Sequence, residues 1–146
     1  MMTAFNNFFE ILDHDLDDFD NLITDDFFIF ENSRRYSAEE FIEFVKTFDI
    51  VSSQRRFEDI AIDTDYNSAH LSLKHFGEFI VNTPEGKVKL EFEWLESCYL
   101  VKKAGKLKFK FYFSEAIETN VTDFESNWIR KVSKHQLLPN AKLNNI

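Results

Sequence analysis

Glycine, proline and cysteine are all scarce, at three, two and one residues in a chain of 146. No Pro- or Gly-rich stretch is available as a linker, and no repeat or low-complexity segment divides the chain, so one domain over 1–146 is expected. With Cys98 as the sole cysteine no internal disulfide can form, and packing alone must hold the fold, as suits a reducing compartment. Apolar runs long enough to cross a bilayer are missing. The opening residues MMTAFNNFFEILDHD carry neither the basic segment nor the small-residue cleavage site of a secretory signal, which leads to the expectation of a cytoplasmic protein. Cations are outnumbered, 17 Lys and Arg against 26 Asp and Glu, for a net charge of -9 at pH 7. Nucleic acid and anionic membranes both recruit clustered cations, so neither is an expected partner.

Phenylalanine is the residue in excess, at 18 copies. A ring with no polar atom to satisfy suits wide space between a sheet and its covering helices. Two readings follow: a filled aromatic core, or a ring-lined cavity for an apolar or aromatic ligand.

Phe5, Phe8, Phe9 and Leu12 fall at i, i+3, i+4 and i+7, the stripe of an amphipathic helix that Thr3 is placed to cap. A second short helix is expected from Asp15, with Leu16, Phe19, Leu22 and Ile23 inward. The run Phe27 to Phe30 reads as a buried strand. Ser37-Ala38-Glu39-Glu40 has capping-box spacing and opens a helix with Phe41, Phe44, Val45 and Phe48 inward, ending near Asp49. From about Gln54 the period becomes two, and turn chemistry at 65–68, 83–86 and 102–105 marks an antiparallel meander to about Ile117. Its last strand alternates Leu107, Phe109, Phe111 and Phe113 with Lys106, Lys108, Lys110 and Tyr112. In the strand before, the apolar set moves from Val88, Leu90, Phe92 and Trp94 to Leu95, Tyr99 and Val101, which predicts a bulge near Leu95 and Glu96. Thr122-Asp123-Phe124-Glu125, followed by Trp128 and Val132, predicts a C-terminal helix over about 122–135, with a fraying tail over about 138–146.

This order of elements resembles the nuclear transport factor 2-like superfamily, which includes ketosteroid isomerase-like and SnoaL-like proteins. The local text is similar too: Asp15 to Phe19 leading to Leu22 through Phe27, Tyr36 through Phe41, and Trp94 to Tyr99 with the turn at 102–106 and Phe111 to Ser114. The resemblance covers about residues 5–118. It implies an α+β cystatin-like cone, with N-terminal helices packed in the concave face of a strongly curved, mainly antiparallel sheet. It also implies a conical pocket and a homodimer through the outer sheet face.

Within that resemblance Glu31, at the end of the first strand, takes the place of the carboxylate that moves a proton between substrate carbons. A poorly solvated carboxyl there would have a raised pKa suited to a general base. Asn7 and Ser97 take the places of the family's oxyanion-hole donors, yet neither is comparably acidic. The ligand-binding set expected is Asn7, Phe28, Phe41, Ser97, Tyr99 and Phe111, and His70 takes the place of an acid in the dehydratase branch. The bland alternative pairs Glu31 with Arg34 or Arg35 at the surface. His70 and His75 lie five residues apart and so point to opposite faces of a strand, which together with a failed calcium-loop pattern at Asp13 to Thr24 leaves no metal site expected. No nucleotide or zinc-peptidase motif is present, so no cofactor is expected. Three functions stay open: a binder of a small apolar or aromatic molecule, a cofactor-independent isomerase, cyclase or lyase using Glu31, and a protein-interaction module with a filled pocket.

Overall fold

The N-terminal aromatic stripe folds as its spacing predicts. In the computed structural model, which describes residues 2–123 and 128–131, helix α1 spans Met2–His14 and buries Phe5, Phe8 and Phe9. Thr3 lies inside that helix rather than capping it. The second short helix expected from Asp15 forms as a 3-10 helix over Leu16–Leu22 that buries Phe19. Its aspartates compete with the backbone for hydrogen bonds, and strand β1 (Ile23–Glu31) already claims Ile23.

Within β1 the run Phe27 to Phe30 is not buried on both faces. Phe27 and Ile29 point inward, Phe28 is half-buried and Phe30 is exposed. Asn32 and Ser33, with φ of 50° and 71°, form the left-handed two-residue turn that suits a tight hairpin. That turn leads into the short strand β2 (Arg34–Ser37), which the apolar pattern does not announce. Helix α2 (Ala38–Lys46) opens with the expected capping box: the Glu40 N–H donates to Ser37 Oγ at 3.2 Å and the Ser37 N–H donates to Glu40 Oε1 at 3.0 Å. It ends before Asp49, where the next strand begins.

The meander comprises β3 (Asp49–Thr64), β4 (Ser68–Thr83), β5 (Gly86–Lys103) and β6 (Lys106–Asp123), joined at the three predicted turns. The sheet runs β2-β1-β6-β5-β4-β3, antiparallel throughout except for the parallel β1/β6 pair. Phe5, Phe8, Phe19, Ile29, Leu71 and Leu100 form the centre of the core between the helices and the inner sheet face. This is the expected α+β cone with N-terminal helices on the concave side.

Two irregularities decide which rings face inward. The β5/β6 register steps from Tyr99↔Phe111 to Leu100↔Phe109, so Lys110 is an extra residue in β6. Phe109 and Tyr112 are therefore both buried, and Phe111 and Phe113 turn outward with Phe28 and Phe30, against the expectation of one aromatic face from Leu107 to Phe113. A second step, from Glu93↔Glu118 to Trp94↔Ala116, makes Ile117 another extra residue. Strand β5 itself keeps its alternation: Leu90, Trp94, Glu96, Cys98 and Leu100 are all buried, and Leu95 and Tyr99 are exposed. The apolar set does not change face at Leu95. An inward-facing Glu96 makes it look so.

The C-terminal helix expected over 122–135 is not formed where the chain is described. Thr122 and Asp123 end β6, and Trp128–Lys131 form strand β7, antiparallel to residues 120–123 of β6. Strand β1 pairs with β6 only as far as Ser114, and of the edge beyond, Asn32 Oδ1 takes the Ala116 N–H and β7 pairs with residues 120–123. The remainder of that expected helix and the tail at 138–146 lie outside the described residues. No helix among the described residues is long and apolar enough to cross a membrane.

Candidate functional site

Period-two alternation brings one or two polar residues from each of several strands to the inner face. These are Glu31 from β1, Arg55 from β3, His75 from β4, Glu96 from β5, and Tyr112 and Ser114 from β6, with Asp13 reaching in from the end of α1. Together they line one end of a cavity of about 120 Å³ whose walls include Phe9, Phe44, Phe48, Phe79, Phe92 and Trp94. Gly77 keeps the wall thin, because a Cβ there would come within 2.6 Å of the Trp94 ring and 2.8 Å of Phe79. The turn after β1 holds Glu31 in place: the Asn32 N–H donates to the Ser114 carbonyl at 3.0 Å, and Asn32 Oδ1 accepts from the Ala116 N–H at 2.9 Å.

The polar groups form a chain. Arg55 donates to both oxygens of Asp13, Nε to Oδ2 at 2.8 Å and Nη2 to Oδ1 at 2.6 Å, and its guanidinium lies over the rings of Phe9 and Phe79. Arg55 Nη1 sits 3.1 Å from His75 Nε2. A guanidinium has no acceptor, so Nε2 must accept, and the ring proton is assigned to Nδ1, 2.9 Å from Glu96 Oε1. Glu96 also accepts from the Tyr112 hydroxyl at 2.7 Å and from the Ser114 hydroxyl at 2.8 Å. Three uncharged donors thus satisfy a buried carboxylate, which leaves the network polar but fully paired.

Glu31 has fewer: its side-chain hydrogen-bond partner is the Ser114 hydroxyl, which also donates to Glu96. Desolvation, and then the nearby charge of Glu96, push its carboxyl well above the usual carboxylate range, against the smaller opposing effects of the Ser114 hydroxyl and Arg55. Burial and Glu96 likewise push the Tyr112 phenol well up, and burial raises the Cys98 thiol, which is inert packing on β5. The Trp94 indole N–H, in the cavity wall, is buried with no hydrogen-bond partner among the described residues.

No protein-family model matches the chain, and no curated protein is similar to it in sequence. Solved structures are similar in shape. An NTF2-like protein from Cytophaga hutchinsonii superposes with a TM-score of 0.61 at 15% identity, over 80% of this chain and 94% of that one. A hexachlorocyclohexane dehydrochlorinase, LinA type 2, gives 0.64 at 9% identity over 88% and 84%. The association domain of CaMKII from C. elegans gives 0.61 at 12% identity over 78% and 91%. The chain has the nuclear transport factor 2-like fold.

Of the residues singled out from sequence, this NTF2-like cone brings Glu31 and Phe41 to the cavity. The surface alternative for Glu31 is not adopted: Arg34 lies 3.7 Å from Glu40, and Arg35 lies over the Phe28 ring. Asn7 is on the exposed side of α1. His70 and Ser97 hydrogen-bond to each other at 2.7 Å on the outer sheet face, where Tyr99, Phe28 and Phe111 also lie. The Lys110 bulge accounts for Phe111, and simple alternation for the others. Among the described residues no group of His, Cys, Asp and Glu gathers to hold a metal. The sequence does not point to Asp13, Arg55, His75, Glu96 and Tyr112 as one site; Asp13 and His75 enter it only as rejected metal ligands. The available signal was His75 and Glu96, polar residues at inward positions of otherwise apolar alternations.

Proposed function

We propose that the protein binds a small, mainly apolar molecule in the cone, with its polar end toward Glu31. The observation that carries this reading is an aromatic-walled cavity lined by a carboxyl group, Glu31, whose side-chain hydrogen-bond partner, the Ser114 hydroxyl, also donates to Glu96. Its size suits a single ring, since an engineered apolar cavity of about 150 Å³ holds benzene. The unpartnered Trp94 N–H adds a donor for one acceptor atom on the occupant. A thermal-shift screen of single-ring compounds is expected to raise the melting temperature, because a ligand of the folded state stabilises it by mass action. No rise across a broad apolar set, with the protein intact, would overturn the reading.

A second reading, a cofactor-independent isomerase, cyclase or lyase, draws on the raised Glu31 carboxyl. In that case Glu31 starts as the proton donor, since it keeps its proton above the usual carboxylate range. Binding is the better supported of the two, because Asn7, Ser97 and Tyr99 do not reach the cavity to stabilise an oxyanion.

We also propose that the outer face pairs two copies of the chain. Phe30, Leu95, Tyr99, Phe113 and Ile117 are exposed on neighbouring strands, a contiguous apolar patch of the kind that marks an interface.

A further inference from the structure

The charges around the cavity do not balance. Asp13 and Arg55 form a bidentate pair and cancel each other. His75 contributes no charge, because its Nε2 accepts from Arg55 and it retains a single ring proton on Nδ1. The donors to Glu96, namely His75, Tyr112 and Ser114, are all uncharged. Arg55 is the one cationic residue among those lining the cavity, and it is already committed to Asp13. Glu31 and Glu96 therefore share the end of the cavity without a cation of their own, with the Ser114 side chain next to both. Aromatic rings line the walls, and the face of such a ring carries negative quadrupole charge that attracts a cation.

We infer that the cone selects an organic cation: an amine on a single-ring or similarly small apolar body, its ammonium beside Glu31 and Glu96 and its body against Phe79, Phe92 and Trp94. This rests on the binding reading above and names the chemistry of that ligand. Desolvation and the neighbouring Glu96 raise the Glu31 carboxyl against the smaller opposing pull of Arg55, and an arriving ammonium adds a cation that favours the ionised form. Amine binding is thus coupled to loss of the Glu31 proton to solvent. The groups that face Glu31 are Glu96 on β5, Ser114 and Glu115 on β6, Arg55 on β3 and Tyr36 on β2, of which Arg55 is the cation; Arg34, opposite Glu31 across the hairpin, is 3.7 Å from Glu40.

The test uses the intact protein and three probes of one shape: benzylamine, benzyl alcohol and benzoate, titrated by calorimetry at pH 7 in two buffers of different ionisation enthalpy. Benzylamine is expected to bind about tenfold tighter than benzyl alcohol, benzoate weakest, and amine binding to release a proton, as attraction at a desolvated site would give. Glu31→Gln is expected to keep benzyl alcohol binding and lose the preference for the amine. Benzyl alcohol bound as tightly as benzylamine, or benzoate bound tightest, would overturn the inference and leave the binding reading standing. Failure of all three probes, with no hit in the wider apolar screen, would overturn both. The wild-type series decides even if Glu31→Gln does not fold.

Discussion

The two faces of the central strands are built from the same residue types and put to different uses. On the inner face Phe8, Phe109 and Tyr112 pack against one another, and Asp13, Arg55, His75, Glu96, Tyr112 and Ser114 are tied into one hydrogen-bonded chain. On the outer face Phe28, Phe30 and Phe111 also meet ring to ring, yet Phe30 stays exposed and Phe28 is half-buried with the Arg35 guanidinium over its ring. Aromatic content therefore does not separate core from surface here. The separation comes from two extra residues in β6, Lys110 and Ile117, which decide which rings point inward. The inner face is packed against the N-terminal helices, whereas the outer face lacks a cover among the described residues.

The sharpest way to break this contrast is to remove one member of the inner chain. Asp13 and Arg55 are almost fully buried as a pair, so Asp13→Ala leaves the guanidinium without its partner and is expected to lower stability by about 3 kcal/mol, read by urea denaturation. A loss below about 0.5 kcal/mol, the size of an ordinary surface substitution, would mean the chain is not a unit.

A smaller effect is expected from pH. The Glu31 carboxyl is raised on folding, so its contribution to stability is fully present below the unfolded glutamate value and is lost as pH rises through the folded value. Glu31→Gln cannot ionise and should flatten that decline, giving a variant whose melting temperature gains on the wild type as pH increases. Parallel curves for the two proteins would place Glu31 in water.

The smallest effect on stability is expected outside. Phe113→Ser should change the folding free energy of the subunit by no more than about 0.5 kcal/mol, while sedimentation shows dimer converted to monomer. An unchanged assembly would remove the outer face as the site of pairing.

Much of this architecture was legible in local chemistry. The Ser37–Glu40 box, the three turns and the 3.6-residue stripe of α1 each require only a few neighbouring residues, and each formed. What was illegible depends on residues far apart in sequence. Nothing near Lys110 announces a bulge, because the extra residue is defined by its register against Tyr99 and Leu100. Glu96 looked like a sign that β5 had changed face, since a buried carboxylate is acceptable only with partners, and those come from β4 and β6. Trp128 was read as helical because the uncovered edge of β6 that recruits it is visible only in three dimensions. Glu31 was found through a family resemblance. Asp13, Arg55 and His75 were missed because the network that defines them crosses three elements.

The most direct test of the cavity as a binding site is a nitrogen-15 NMR titration with benzyl alcohol, following the indole N–H signals of the two tryptophans, with Trp94→Phe to assign them. The account predicts that the Trp94 indole signal moves saturably while amides of Phe111 and Phe113 on the outer face stay still. An unmoved Trp94 signal, with outer-face amides responding instead, would contradict it.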